Sequence, residues 1–269
     1  MSHDSLTKSP VFATPSLSVF VTTQEDNPTL VAEALTGRAA AFAAAQQPNV
    51  GTDELDAVSR HVVAVDSRDG VIAALRIALG RHVFPMLGAG GFTTSRYFSF
   101  TAAGTAFALE AAEASRLWIA QDRSGRRKIL RALWMGMVEA LRRMGVEGGL
   151  FGVVSLVDYP TESLVVLANA LRLHFRSECD HVVPIRPYLS CADAREPVLT
   201  LTPGVVRNLA RAFRSVDCQR PLPSVLYEYL AKGALLAGPL GLDESARKCV
   251  IPLYVSGRQL EYSSHSLRS

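Results

Sequence analysis

Glu113, Ser115 and Arg116 fall within one short stretch, Glu113-Ala-Ser-Arg116, at the start of a run that continues to Ile119. Glu113, Ser115, Leu117 and Ile119 alternate, which predicts a strand carrying all four on one face. A carboxylate in an apolar strand is the kind of group that burial tunes into a general base, or that pairs with an arginine to fix the strand. Ser115 either hydrogen-bonds a reacting carbonyl or satisfies the backbone. Arg116 points to the opposite face unless a bulge redirects it, and an ion pair is its expected role. Any oxyanion formed here would be met by backbone N–H groups, which a sequence does not single out.

Two further sets of charges carry chemistry. Arg38 and Arg76 are candidate clamps for a carboxylate, and Asp53 and Asp56 for an ammonium group, unless the two loop carboxylates are simply solvated. The second set is Ser124-Gly125-Arg126-Arg127-Lys128, with Arg131 following. It opens a helix whose apolar residues Leu130, Leu133, Trp134, Met137, Val138 and Leu141 recur at spacings of three and four. Gly145 stops that helix, Gly148-Gly149 turns the chain, and Leu150 to Val157 reads as a buried strand. Strand, helix and strand of this length join parallel strands by a crossover, with the helix N-terminus beside the end of the first strand, where a phosphate binds well. The plain alternative is a solvated basic face. His61, His82 and His174 lack metal-ligand spacing, so no metal is expected, and no Ser–His–Asp order stands out.

The elements that must position these groups follow from the rest of the chain. Residues 1–16 read as a loose tail, Leu17–Thr23 as a strand, and Thr29 to Ala45 as an alanine-rich helix carrying Arg38 and Phe42. Asn49 to Asp56 is an acidic loop. His61–Asp66 and Val71–Ala78 form a hairpin around Ser67-Arg-Asp-Gly70. Phe92 to Phe100 reads as irregular. Helices are expected at Ser163–Phe175, Thr202–Phe213 and Leu222–Ala237, and strands at Val182–Ile185 and Cys249–Val255. The fold class is α/β: a mixed, twisted sheet flanked by helices. Residues 17–269 form one domain, with a C-terminal elaboration over about 200–255.

Composition narrows the classes. Apolar residues make up 48% of 269, enough for a proper core, and the net charge of +3 gives no reason to expect nucleic acid. Cys179, Cys191, Cys218 and Cys249 form no C-x-x-C pair, as in a reduced cytoplasmic protein. The polar N-terminus lacks an apolar signal core, and no apolar run reaches spanning length.

The order of landmarks resembles a known group. Arg38 and Phe42, Asp53 and Asp56, the His61–Asp66 and Val71–Ile77 strands with Arg76, Gly90-Gly-Phe92, Phe98-Ser-Phe100, Glu113-Ala-Ser-Arg116, Leu133-Trp134 and Phe151-Gly152 are similar to the acyl-carrier-dependent branch of the GNAT N-acyltransferases. That branch holds the ornithine-lipid N-acyltransferases, sometimes described as haemolysins, and the acyl-homoserine-lactone synthases. Pro221-Leu-Pro, Tyr229-Leu, Lys232-Gly-Ala234 and Gly238-Pro239 resemble the ornithine-lipid enzymes in particular. The resemblance implies a GNAT-like fold and transfer of a long, 3-hydroxylated fatty acyl chain to the α-amine of ornithine. The donor would be the acyl-phosphopantetheine of acyl carrier protein, with no cofactor bound permanently. Glu113, Ser115 and Arg116 would be catalytic, and Arg38, Asp53, Asp56 and Arg76 would hold the acceptor.

Pantetheine amides could pair as an extra strand between Glu113–Ile119 and Phe151–Val157, with Trp118 and Phe151 against the acyl arm. The usual Arg-x-x-Gly-x-Gly/Ala cradle for a pyrophosphate is absent. Arg126, Arg127, Lys128 and Arg131 suit instead the single phosphodiester and acidic surface of a carrier protein. Other readings are a different N-acyl amino-acid or lactone synthase, a haemolysin, and a non-catalytic acyl-binding module. The apolar face of Leu222, Val225, Leu226, Tyr229 and Leu230 either packs on the domain or rests on the inner face of the cytoplasmic membrane.

Overall fold

Apolar runs between Leu17 and Leu79 produce three consecutive antiparallel strands, and these set the frame. The computed structural model describes residues 9–44, 53–120, 124–157, 159–188, 222–243 and 248–260. A short strand β1 (Phe12–Ala13) turns back on β2 (Leu17–Thr22), so part of the expected tail is paired. Helix α1 (Pro28–Ala44) and the single turn α2 (Leu55–Val58) lead into β3 (Arg60–Asp66) and β4 (Gly70–Leu79), joined by a tight hairpin at Gly70, φ 72°. Then come helix α3 (Gly80–Leu87) and two 3-10 turns, Gly88–Gly91 and Thr93–Arg96, followed by β5 (Phe98–Phe100). Helix α4 (Ala102–Glu110) precedes β6 (Ala111–Ile119), and neither α3 nor α4 is among the helices expected from the sequence.

The crossover unit is as expected: β6, helix α5 (Arg126–Arg143) and β7 (Gly149–Val157), with β6 and β7 parallel. Apolar residues of α5 from Leu130 to Leu141 are buried against β2, β3 and β4, each worth about 1.5–3 kcal/mol. Gly145 ends the helix in the left-handed region at φ 63°. There the Val146 N–H bonds Leu141 O and the Gly145 N–H bonds Arg142 O, satisfying terminal carbonyls. Helix α6 (Thr161–His174), β8 (Val182–Pro184), α7 (Ser224–Ala231), β9 (Leu235–Leu236), β10 (Gly241–Asp243) and β11 (Lys248–Ser256) complete the order.

The main sheet runs β1-β2-β3-β4-β6-β7-β11-β10, with β9 on β11, and among the described residues β6–β7 is its one parallel strand pair. Strand β11 pairs with β7 along its whole length, so the C-terminal segment belongs to the sheet itself. Helices α5, α6 and α7 share one large core with the sheet, while α1, α3 and α4 pack on the other face. The single helix expected over Leu222–Ala237 stops at Ala231, because Gly233 turns at φ 83° and β9 follows. The helix expected at residues 202–213 lies outside the described residues.

Candidate active site

The β4–β6 register contains the first step in building the site. Ala73 faces Ile119 and Ala74 faces Trp118, but Arg76 then faces Ser115, so β6 fits two residues, Arg116 and Leu117, where β4 has Leu75 alone. Arg116 takes up the extra length in the left-handed region, φ 58°. Such a bulge shifts the alternation by one. Ala112, Ala114, Leu117 and Ile119 consequently pack into the α5 core. The four-residue face expected from Glu113 to Ile119 is thus broken at Arg116, and Leu117 and Ile119 lie on the side opposite Trp118, which packs under α1.

Residues far apart in sequence meet around this bulge. Arg38 donates to Asp56 from both terminal guanidinium nitrogens, Nη1 to Oδ1 at 2.9 Å and Nη2 to Oδ2 at 2.5 Å. Arg76, fully buried, donates to Asp53, to Asp56 Oδ1 at 3.2 Å, to Thr93 Oγ1 at 2.9 Å and to Ser115 Oγ at 3.3 Å. Arg116 Nη2 donates to Asp53 Oδ2 at 2.6 Å, and Arg96 approaches the same oxygen at 3.4 Å. The Asp53 N–H closes the loop onto Asp56 Oδ2 at 2.8 Å. Burial alone would raise both carboxyls. For Asp53 the charge of Arg76 and the Arg116 contact outweigh it and hold the pKa below its ordinary value. For Asp56 the Arg38 hydrogen bonds, the Asp53 N–H and the charges of Arg38 and Arg76 bring the pKa down to about 2. His61 Nε2 lies 3.1 Å from Asp56 O, and burial pushes the ring's pKa down.

Glu113 sits at the end of this network with 0% exposure. Its Oε2 accepts the Thr93 N–H at 2.7 Å, and its Oε1 accepts the Thr94 N–H at 2.7 Å and the Thr94 hydroxyl at 2.6 Å. Both oxygens thus hold the Thr93–Arg96 turn, and that turn carries Arg96 to the surface. The sequence reading missed Thr93, Thr94 and Arg96. Their only signal is a polar Thr-Thr-Ser-Arg run between buried Phe92 and Phe98.

Beside Asp53 and Arg96 opens a cleft of about 790 Å³, lined also by Glu54, Leu55, Leu87, Gly90 and Phe92. Asp53 is 19% exposed there and Arg96 46%. Glu113 is not among the lining residues, and Arg38 and Arg76, expected as clamps for a ligand, spend their guanidinium groups on Asp53 and Asp56 instead. The charges that face the opening are Asp53, Glu54 and Arg96.

The other expected contacts are also placed. The β6–β7 register runs from Ala111 opposite Gly149 to Ala114 opposite Gly152 and ends there, so the two strands part beyond it. Phe151 is buried in an aromatic cluster with Phe92, Phe100, Phe107 and Tyr254. Trp118 is buried under α1, so tightly that a Cβ on Gly37 would fall 2.3 Å from its ring, and it belongs to the core. In the basic turn, Arg126 donates to the carbonyls of Ile119 and Ala120 at the end of β6. Arg127 and Arg131 flank Glu228 of α7 at 3.3 and 3.8 Å, and Lys128 stands exposed. The α7 face carrying Leu226, Tyr229 and Leu230 is buried in the core shared with α5, so that face is not available to a membrane. Among the described residues no helix is long and apolar enough to cross one.

Residues 34–135 match the family model of the acetyltransferase (GNAT) domain. That span contains Arg38, Asp53, Asp56, Arg76, Glu113 and Arg116, and on that match the chain is read as an acyltransferase. No curated protein matches the sequence. Among solved structures, the CoA-dependent acyl-homoserine lactone synthase MesI aligns over 92% of this chain and 95% of its own, with 11% identity and a TM-score of 0.44.

Proposed function

We propose that this chain transfers a long fatty acyl group from the thioester of acyl carrier protein to the α-amine of an amino acid, with ornithine as the favoured acceptor. The observation that supports it most is the pairing of two features: a sheet that parts at Ala114 and Gly152, and a neighbouring cleft whose charges are Asp53, Glu54 and Arg96. A gap between parted strands leaves unpaired backbone groups to receive the amides of pantetheine. Two carboxylates and one guanidinium complement the two ammonium groups and one carboxylate of a dibasic amino acid. The basic turn Arg126–Lys128 with Arg131 faces outward at the N-terminus of α5, in keeping with a phosphodiester on an acidic carrier.

In this reading the α-ammonium first releases a proton to solvent, the neutral nitrogen attacks the thioester carbon, and the C=O pair moves onto oxygen. Collapse then expels the thiolate, which takes up the proton lost by nitrogen. Glu113 acts as a positioning residue: it fixes the Thr93–Arg96 turn and with it the cation that meets the acceptor carboxylate. Arg38, Arg76, Arg116, Asp53 and Asp56 hold the cleft's wall rigid, which is what orientation of two reactants requires. The reaction belongs in the cytoplasm, where acyl carrier thioesters are made. The test is to incubate purified protein with 3-hydroxyacyl and plain acyl carrier thioesters and a panel of amino acids, with product masses read by mass spectrometry. N-acyl ornithine as the main product supports the proposal; preference for a monoamino acid or a lactone-forming amine overturns the acceptor assignment.

A further inference from the structure

Tyr229, on α7, reaches the point where the sheet parts. A Cβ on Gly152 would lie 2.3 Å from the phenol oxygen and 2.7 Å from its ring carbon, so the hydroxyl occupies the space a side chain would take. Gly152 is the last residue of β7 in register with β6, opposite Ala114 and next to the Glu113–Phe151 pair. The hydroxyl comes from the α5 side, where the Tyr229 ring meets Trp134 edge-on at 5.1 Å. Among the described residues it makes no hydrogen bond, and the buried Nε1 of Trp134 has no partner either. The unpartnered Trp134 Nε1 is buried outright, while the Tyr229 hydroxyl stands without a hydrogen-bond partner at the point where the strands part. An acceptor that arrives with the substrate supplies that hydroxyl with a partner.

We infer that the Tyr229 hydroxyl donates a hydrogen bond to the carbonyl oxygen of the bound thioester, and holds it as it becomes an oxyanion. This rests on the acyl-transfer reading above and assigns a donor within it. The amine attacks from the side of the Asp53 cleft and forms the C–N bond. The C=O electron pair moves onto the oxygen held by Tyr229, then returns as the C–S bond breaks. The thiolate leaves with its pair and is protonated by the proton nitrogen loses. Tyr229 keeps its own proton throughout. Burial, and after it the charge of Glu113, push the phenol's pKa above its ordinary value, which suits a donor and not an acid that gives its proton away. Gly152 is required because any side chain there would displace the hydroxyl.

The test uses the full chain with two inert donors carried on phosphopantetheine of acyl carrier protein. One is a ketone in which CH2 replaces the sulfur, and the other a thioether in which CH2 replaces the carbonyl. Wild type should bind the ketone about 10-fold more tightly, and Tyr229→Phe, which keeps the ring against Trp134, should erase that preference. With the true thioester, Tyr229→Phe should lower kcat about 100-fold while KM stays within about 2-fold. Equal binding of the two analogues by wild type, or a wild-type kcat in Tyr229→Phe, overturns the inference. The first of these needs no variant, so a folding defect does not protect the proposal. If wild type transfers acyl groups while Tyr229→Phe matches it, this inference alone falls; if wild type transfers to no amine, the acyl-transfer reading falls with it.

Discussion

Arg116 meets Asp53 because its backbone is left-handed: at φ 58° the guanidinium turns to place Nη2 2.6 Å from Oδ2. A residue with a Cβ resists this conformation by about 1–2 kcal/mol, and glycine does not. Both Arg116→Ala and Arg116→Gly lose the ion pair, so both should be less stable than wild type. Arg116→Gly should be the more stable of the two by about 1 kcal/mol in urea denaturation, although glycine ordinarily weakens a strand. An alanine variant as stable as the glycine variant would rule out the bulge as described.

The same network predicts a specific acid response. The pKa of Asp56 is about 2 in the folded protein, against an ordinary value of 3.8, and that of Asp53 is lowered as well. A carboxyl whose folded pKa is depressed contributes stability that is complete above the unfolded value and lost as pH falls through the folded one. The contribution of Asp56, about 2 kcal/mol, should be intact above roughly pH 5 and vanish between about pH 4 and 2. Denaturation curves of wild type and Asp56→Asn across that range measure it. The variant should be less stable at neutral pH by about 3 kcal/mol, since buried Arg38 and Arg76 lose a partner, and its acid slope should be shallower. Parallel pH profiles for the two proteins would contradict the assignment.

Glu113→Gln separates positioning from proton abstraction. An amide can keep one acceptor, but its NH2 would then face a backbone N–H now 2.7 Å from a carboxylate oxygen. The Thr93–Arg96 turn should loosen at a cost of about 1–3 kcal/mol, and Arg96 with it. The amine KM should rise at least 10-fold through loss of the charged contact, by more than kcat falls. A fall of about 100-fold or more in kcat at unchanged KM and unchanged stability would instead make Glu113 the base.

How much of this could be read from the sequence depends on what each signal reports. The strand–helix–strand unit was legible because α5 presents one apolar stripe and Gly145 stops it. Arg38, Asp53, Asp56, Arg76, Glu113, Ser115 and Arg116 could be singled out by type and order, and the fold does bring them together. Their mutual pairing was not legible, since a cation that binds a substrate carboxylate and one that binds an aspartate look alike in sequence. The bulge entered only as the alternative that would redirect Arg116, because period-two alternation assumes regular pairing, and that regular reading misplaced Leu117 and Ile119. Trp118 was read as a ligand contact because only the fold brings Gly37 beneath it. Gly37→Ala gains about 1 kcal/mol of helix propensity, but its methyl would sit 2.3 Å from the Trp118 ring. Overpacking of that kind costs about 1–3 kcal/mol, so the variant should melt below wild type by calorimetry. A higher melting temperature would mean that α1 does not lie on Trp118.

Amine-dependent conversion of acyl carrier protein tests the central claim most directly. Acyl-loaded carrier is mixed with the enzyme at fixed concentration, ornithine is added, and intact-protein mass spectrometry follows loss of the acyl group from the carrier and its appearance on the amine. The account predicts that deacylation requires ornithine, matches N-acyl ornithine one for one, and is more efficient than with the CoA thioester of the same chain. Deacylation at an equal rate without any amine, or no deacylation with any amino acid, would contradict it.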